Sequence, residues 1–166
     1  PPDVIALSLG CEFVARAVVE LGAAVRSLTF ISPTGFSRRQ PPAPQAQRRL
    51  KRLFDFAGFG RGAFKLLRLE RSIRYFYGMN FSGFVPNELV TYALKTTRQS
   101  GAHEMPLHFL SRGLFTAKAA ESLYSKLDVP VLVLFDKDPN VSFELFEEFE
   151  ANPAWQFKRI APSLGM

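Results

Sequence analysis

Cysteine occurs once and histidine twice in this chain of 166 residues. The lone thiol, Cys11, cannot close an internal disulfide, which agrees with a reducing compartment. No stretch approaches the roughly eighteen uninterrupted apolar residues of a membrane span, and no basic, apolar and small-residue order marks a signal peptide. These absences predict a soluble cytoplasmic protein. The triplets Asn80-Phe81-Ser82 and Asn140-Val141-Ser142 then count as chance matches to a glycosylation acceptor. An initiating methionine is also missing. The chain is in a strand pattern by Val4 and closes just after the strand-like run Trp155 to Ile160, so an excerpt of a longer protein, cut at both ends, is expected. No internal repeat is found, and no metal or cofactor site is expected.

What is present is a core. With 47% hydrophobic and 22% charged residues the chain is an ordinary globular one, long enough for one domain. Residues 1–35 read as strand, helix, strand. The apolar run Val4-Ile5-Ala6-Leu7 leads through Ser8 into a helix over roughly 9–22. Val25 to Ile31 is a second strand, closed by the turn chemistry of Ser32-Pro33-Thr34-Gly35. At this spacing the strands are parallel. Residues 127–166 repeat the logic. Val129 to Phe135 is a fully apolar, β-branched run suited to a central parallel strand. An Asp-rich turn, Asp136-Lys137-Asp138-Pro139-Asn140, then a helix over 142–150 and a strand over 155–160 follow. Between them, residues 36–126 begin with Pro41, Pro42 and Pro44 and continue with apolar residues at helical spacing. Leu50-Leu53-Phe54 and Phe64-Leu67-Ile73-Tyr77 set that pattern, with further helices expected near 86–99 and 113–126. The chain is thus predicted to be an α/β protein, a parallel sheet carrying an inserted helical cap.

One pentapeptide has chemical meaning in this frame. Ser8 in Ala6-Leu7-Ser8-Leu9-Gly10 falls where a buried strand turns into a helix, which puts its hydroxyl at the carboxyl edge of the sheet beside the free N–H groups of a helix start. Gly10 is expected to relieve crowding of helix against strand, and Ala6 is small for a similar reason. The bland alternative is a serine N-cap. Cys11, one turn into the same helix, reads as a packed thiol.

Together these features resemble the α/β-hydrolase family, whose nucleophile elbow is G-x-S-x-G. Alanine replaces the first glycine here. The order of elements agrees along the whole chain: elbow helix, strand ending in Ser32-Pro33, helical insertion, then a strand running into Val133-Leu134-Phe135-Asp136-Lys137-Asp138-Pro139. The resemblance implies a serine hydrolase acting on an ester or related acyl bond of a small apolar substrate, without a cofactor. It implies Ser8 as nucleophile, Asp138 as the acid with Asp136 as the competing choice, and the Leu9 N–H as one oxyanion donor. The family's histidine follows the last strand. His103 and His108 precede the acid strand, so the base is expected beyond Met166 and the excerpt alone is expected to be inactive. The alternative is a non-catalytic relative that binds a ligand or a partner protein.

Charge is unevenly placed. Eleven of the 21 lysines and arginines fall between Ser37 and Tyr75, interleaved with Phe54, Phe59, Phe64, Tyr75, Phe76 and Tyr77. The stretch reads first as a solvated helix face, and second as a weak contact with an anionic membrane surface. No nucleic-acid motif accompanies it, and no nucleic-acid partner is expected.

Overall fold

The computed structural model describes residues 1–55, 59–81 and 83–163. Ser82 of the first triplet and residues 164–166 of the expected approach to the histidine loop lie outside them. So do the side chains of Phe54, Phe59 and Arg61 from the basic stretch.

Four strands form one parallel sheet in the order β1-β2-β3-β4. Strand β1 (Asp3–Leu7) pairs with β2 (Ser27–Ile31) in a register running from Asp3 opposite Ser27 to Leu7 opposite Ile31. β2 then pairs with β3 (Val131–Phe135), and β3 with β4 (Trp155–Arg159). Alternation decides which side chains enter the core. Leu28 and Phe30 of β2 and Val131 and Val133 of β3 are buried. β1 is an edge strand of this sheet, and its Ile5 and Leu7 are exposed.

Helix α1 (Gly10–Leu21) makes the first crossover. It ends at Gly22, whose left-handed backbone (φ 67°) lets its own N–H and that of Ala23 reach Ala17 O. The core beneath is aromatic. Phe36 stacks on Tyr124 at 4.7 Å between ring centroids and meets Phe146 and Phe149 edge-on, while Trp155 closes the cluster. Gly35 makes that possible. With φ 91°, a Cβ there would sit 2.7 Å from Ala119 Cβ.

The chain divides into two compact units, residues 1–40 with 116 onward, and residues 41–115. The second is all helical: α2 (Pro44–Asp55), α3 (Phe59–Leu67), α4 (Glu70–Gly78), α5 (Asn87–Thr96) and α6 (Glu104–Leu110). Phe64, Ile73, Val90 and Leu107 are buried in it. Helix α6 falls where none was expected. Pro106 sits in its first turn, where a missing N–H costs nothing.

Two expected helices shrink. The one expected over 113–126 is only α7 (Ala119–Ser122) and a 3₁₀ turn over Tyr124–Lys126, because the left-handed backbone of Lys118 interrupts the run. The one expected over 142–150 is only α8 (Glu147–Glu150). Its would-be first turn diverts an N–H, that of Leu145, to Phe36 O at 3.0 Å. Among the described residues, no helix is long and apolar enough to cross a membrane.

Candidate active site

The site begins where the strands stop. Ser8 follows the last residue of β1 and has φ 51°, a left-handed backbone that a non-glycine residue adopts at a cost. Its N–H extends the sheet ladder by donating to Ile31 O at 2.8 Å, and its carbonyl accepts from Cys11 N at 3.1 Å. The chain therefore reverses within one residue and passes into α1. Ser8 is half-buried, and its hydroxyl has no hydrogen-bond partner among the described residues. It caps nothing, since α1 has no side-chain cap. The next N–H, that of Leu9, likewise donates to no acceptor among the described residues. An unpartnered hydroxyl beside an unpartnered N–H is a place for a ligand oxygen.

The small residues around the turn divide in their reasons. Ala6 is buried, and its carbonyl lies 3.4 Å from the Cys11 thiol. A Cβ added to Gly10, however, would meet nothing within 4 Å, so the crowding expected there is absent among the described residues. The close approach that requires glycine is at Gly35 instead. Burial pushes the Cys11 thiol up to about 12, which keeps it protonated and packed.

One strand over, Ser32 repeats the geometry of Ser8. It follows β2, has φ 46°, and donates its N–H to Leu134 O at 2.9 Å. Its Oγ donates to Asp138 Oδ2 at 2.7 Å. The other oxygen of Asp138 accepts from Asn140 N at 2.8 Å. Asp136 is held differently. The Arg159 Nε donates to its Oδ1 at 2.6 Å and Ser163 N to its Oδ2 at 2.9 Å. That guanidinium and that N–H hold its carboxyl below the usual carboxylate range. The carboxyl ends of β1, β2 and β3 thus bring Ser8, Ser32 and both aspartates to one edge. A cavity of about 180 Å³ opens by Ser32, lined by Ile31, Leu134, Phe135, Ile160, Ser32 and Asp136, together with Ser163; Ser8, Leu9 and Asp138 do not line it.

Beneath the elbow lies a buried carboxylate that sequence reasoning missed. Glu12, on α1 and 1% exposed, accepts from Thr34 Oγ1 and from Thr116 N at 2.7 Å. Thr34 also accepts from the Tyr124 hydroxyl at 2.9 Å through its carbonyl. A glutamate among apolar neighbours in the first helical turn was the available signal.

His103 and His108 both belong to the helical unit, His103 preceding α6 and His108 within it. Among the described residues no three His, Cys, Asp or Glu side chains gather as a metal set. In the basic stretch, Arg74 pairs with Glu70 at 2.8 Å, while Lys65, Arg68 and Arg71 are exposed.

No protein-family model matches the chain, and no curated protein matches it. Solved structures do. An alpha/beta hydrolase fold protein from Burkholderia ambifaria superposes with TM-score 0.60 at 16% identity, over 99% of this chain and 59% of its own. A hydrolase from Oleispira antarctica does so with TM-score 0.59 at 17% identity, over 98% of this chain and 57% of its own. An esterase from Exiguobacterium antarcticum gives 0.59 at 16% identity, over 93% and 56%. The chain therefore spans a little over half the length of these proteins.

Proposed function

We propose, for a chain that has the α/β-hydrolase fold, that it carries the nucleophile and acid of a serine hydrolase acting on an ester or related acyl bond of a small apolar substrate. Ser8 is the nucleophile, Asp138 the acid, and the Leu9 N–H one oxyanion donor. The base is a histidine of the parent protein outside residues 1–166. Ser8 Oγ attacks the carbonyl carbon as the imidazole takes its proton, and the developing oxyanion accepts from Leu9 N–H. The imidazolium then protonates the leaving alcohol, and water releases the acyl group by the same route.

The observation that carries this reading is the left-handed Ser8 between β1 and α1, with its hydroxyl and the next N–H unpartnered among the described residues. Three supports accompany it. Asp138 lies in the turn that follows β3, the second strand from Ser8, and so emerges at the same carboxyl edge of the parallel sheet. Asp136 is already neutralised by Arg159, which favours Asp138 as the acid. The apolar cavity one strand over, where Ile31, Leu134, Phe135 and Ile160 surround Ser32, supports an apolar substrate.

The test is labelling of the full-length protein with a fluorophosphonate. The reading expects stoichiometric labelling of Ser8, and loss of both labelling and ester hydrolysis in Ser8→Ala at unchanged thermal stability. Undiminished labelling of Ser8→Ala would leave a non-catalytic, ligand- or partner-binding protein as the better account.

A further inference from the structure

Ser32 has no step in that reaction, yet it is built with unusual care. It is 2% exposed and holds a left-handed backbone that costs a non-glycine residue on the order of 1 kcal/mol. Glycine or asparagine is the usual occupant of such a position. A serine there needs a reason, and the hydroxyl is making the 2.7 Å bond to Asp138 Oδ2 across 106 residues of sequence.

That bond settles the orientation of a carboxylate. Among the described residues each oxygen of Asp138 has one partner, Ser32 Oγ on Oδ2 and Asn140 N on Oδ1. The second partner lies within its own turn, two residues away. Ser32 is the one of the two that ties the carboxylate to the rigid sheet, because its N–H is in the β2–β3 ladder through Leu134 O. A carboxylate has about four lone-pair sites, so two remain to accept from an imidazole. Asp136, two residues earlier, has its own anchors in Arg159 and Ser163 and does not compete for Ser32.

We propose that Ser32 is a positioning residue for the acid: its left-handed backbone aims the hydroxyl at Asp138 and fixes the carboxylate rotamer that receives the catalytic imidazole. This rests on Asp138 being the acid. The strain at Ser32 and the bond to Asp138 are then one device, since relaxing the backbone would swing the hydroxyl away from the turn.

Two variants of the full-length protein separate hydroxyl from backbone. Ser32→Gly removes the hydroxyl at a φ that glycine accepts freely, whereas Ser32→Ala removes it and keeps the strain. Both are expected to lower kcat on the order of tenfold, the scale of one hydrogen bond to a charged group, with KM unchanged. In Ser32→Gly the relieved strain offsets much of the lost bond, so it is expected to melt closer to wild type than Ser32→Ala while losing kcat to the same extent, which separates the loss from folding. In an Asp138→Asn background, Ser32→Gly should lower the residual kcat no further. Wild-type kcat in Ser32→Gly would overturn the proposal, as would an undiminished effect of Ser32→Gly in the Asp138→Asn background. If Asp138→Asn retained full activity and Asp136→Asn abolished it, the acid assignment itself would fall, and the role of Ser32 with it.

Discussion

Ser8 and Ser32 lie side by side at the carboxyl ends of adjacent parallel strands, one residue past the last register pair, Leu7 opposite Ile31, and both are left-handed, with φ 51° and 46°. Each donates its N–H to the next strand, Ser8 to Ile31 O and Ser32 to Leu134 O. The sheet ladder thus continues one step beyond the strands and grips both turns. Two strained serines on a rigid edge hold their hydroxyls in fixed places, one unpartnered among the described residues and one bonded to Asp138.

Strain at Ser8 can be measured. Ser8→Gly relieves a left-handed backbone worth about 1 kcal/mol and removes the hydroxyl. The expected outcome is a protein more stable by about that amount in urea unfolding and devoid of ester hydrolysis. A less stable Ser8→Gly protein would show that the elbow is not strained.

The two aspartates should respond differently. Asp138→Asn is expected to cut kcat on the order of a thousandfold or more at unchanged stability. Asp136→Asn is expected to lower stability, because Arg159 loses its partner. The folded-state carboxyl of Asp136 lies below its ordinary value of 3.8, so its stabilisation is present above that value and is lost as pH falls through the folded one. Thermal melts in acid should therefore drop more steeply for the wild type than for Asp136→Asn. Parallel curves would mean that the Arg159 pair contributes nothing.

Glu12 joins Thr34, where the chain leaves the sheet, to Thr116, where it returns. Replacing it with alanine strands a hydroxyl and an N–H in a buried place, at a cost of about 2–4 kcal/mol. Glu12→Gln keeps an acceptor of the same shape and should cost clearly less. Chemical unfolding of both variants decides the matter, and equal losses would show that shape alone is irrelevant there.

Cys11 should be inert in the folded protein. Its thiol is completely buried and lifted to about 12 from an ordinary 9.0. Iodoacetamide at about pH 8 is expected to label it only after unfolding. Because the folded value is the higher one, the thiol's contribution to stability is full below 9 and declines as pH rises towards 12. Rapid native alkylation would contradict the packing of α1.

Substrate preference tests whether the apolar cavity beside Ser32 receives the acyl chain. Each methylene buried contributes roughly 0.8 kcal/mol. A series of p-nitrophenyl esters assayed on the full-length protein should therefore show kcat/KM rising from acetate towards octanoate until the pocket is full. A clear preference for acetate would refute an apolar acyl site.

Much of this molecule was legible as a string. The apolar runs ending at Leu7, Ile31 and Phe135 read as parallel strands, because strand, helix and strand follow one another at the spacing of βαβ units. ALSLG could be placed at a strand-to-helix turn, because a continuous apolar run gives way to a helix-like stretch across Ser8. These are local facts, carried by neighbours in sequence.

Other features belonged to the tertiary structure alone. Nothing in Ser32-Pro33-Thr34-Gly35 says that its first residue is left-handed and bonded to a side chain 106 residues away. Nothing in Cys11-Glu12-Phe13 says that the glutamate is buried on Thr34 and Thr116. The helix expected over 142–150 lost its first turns to a bond between Leu145 and Phe36. Even the division of labour between Asp136 and Asp138 waits on Arg159, which comes from the next strand. In each case the deciding partner is distant in the chain. A sequence pattern records where a backbone can turn and which face is apolar, but which buried polar groups meet is decided only when the sheet brings its strand ends together.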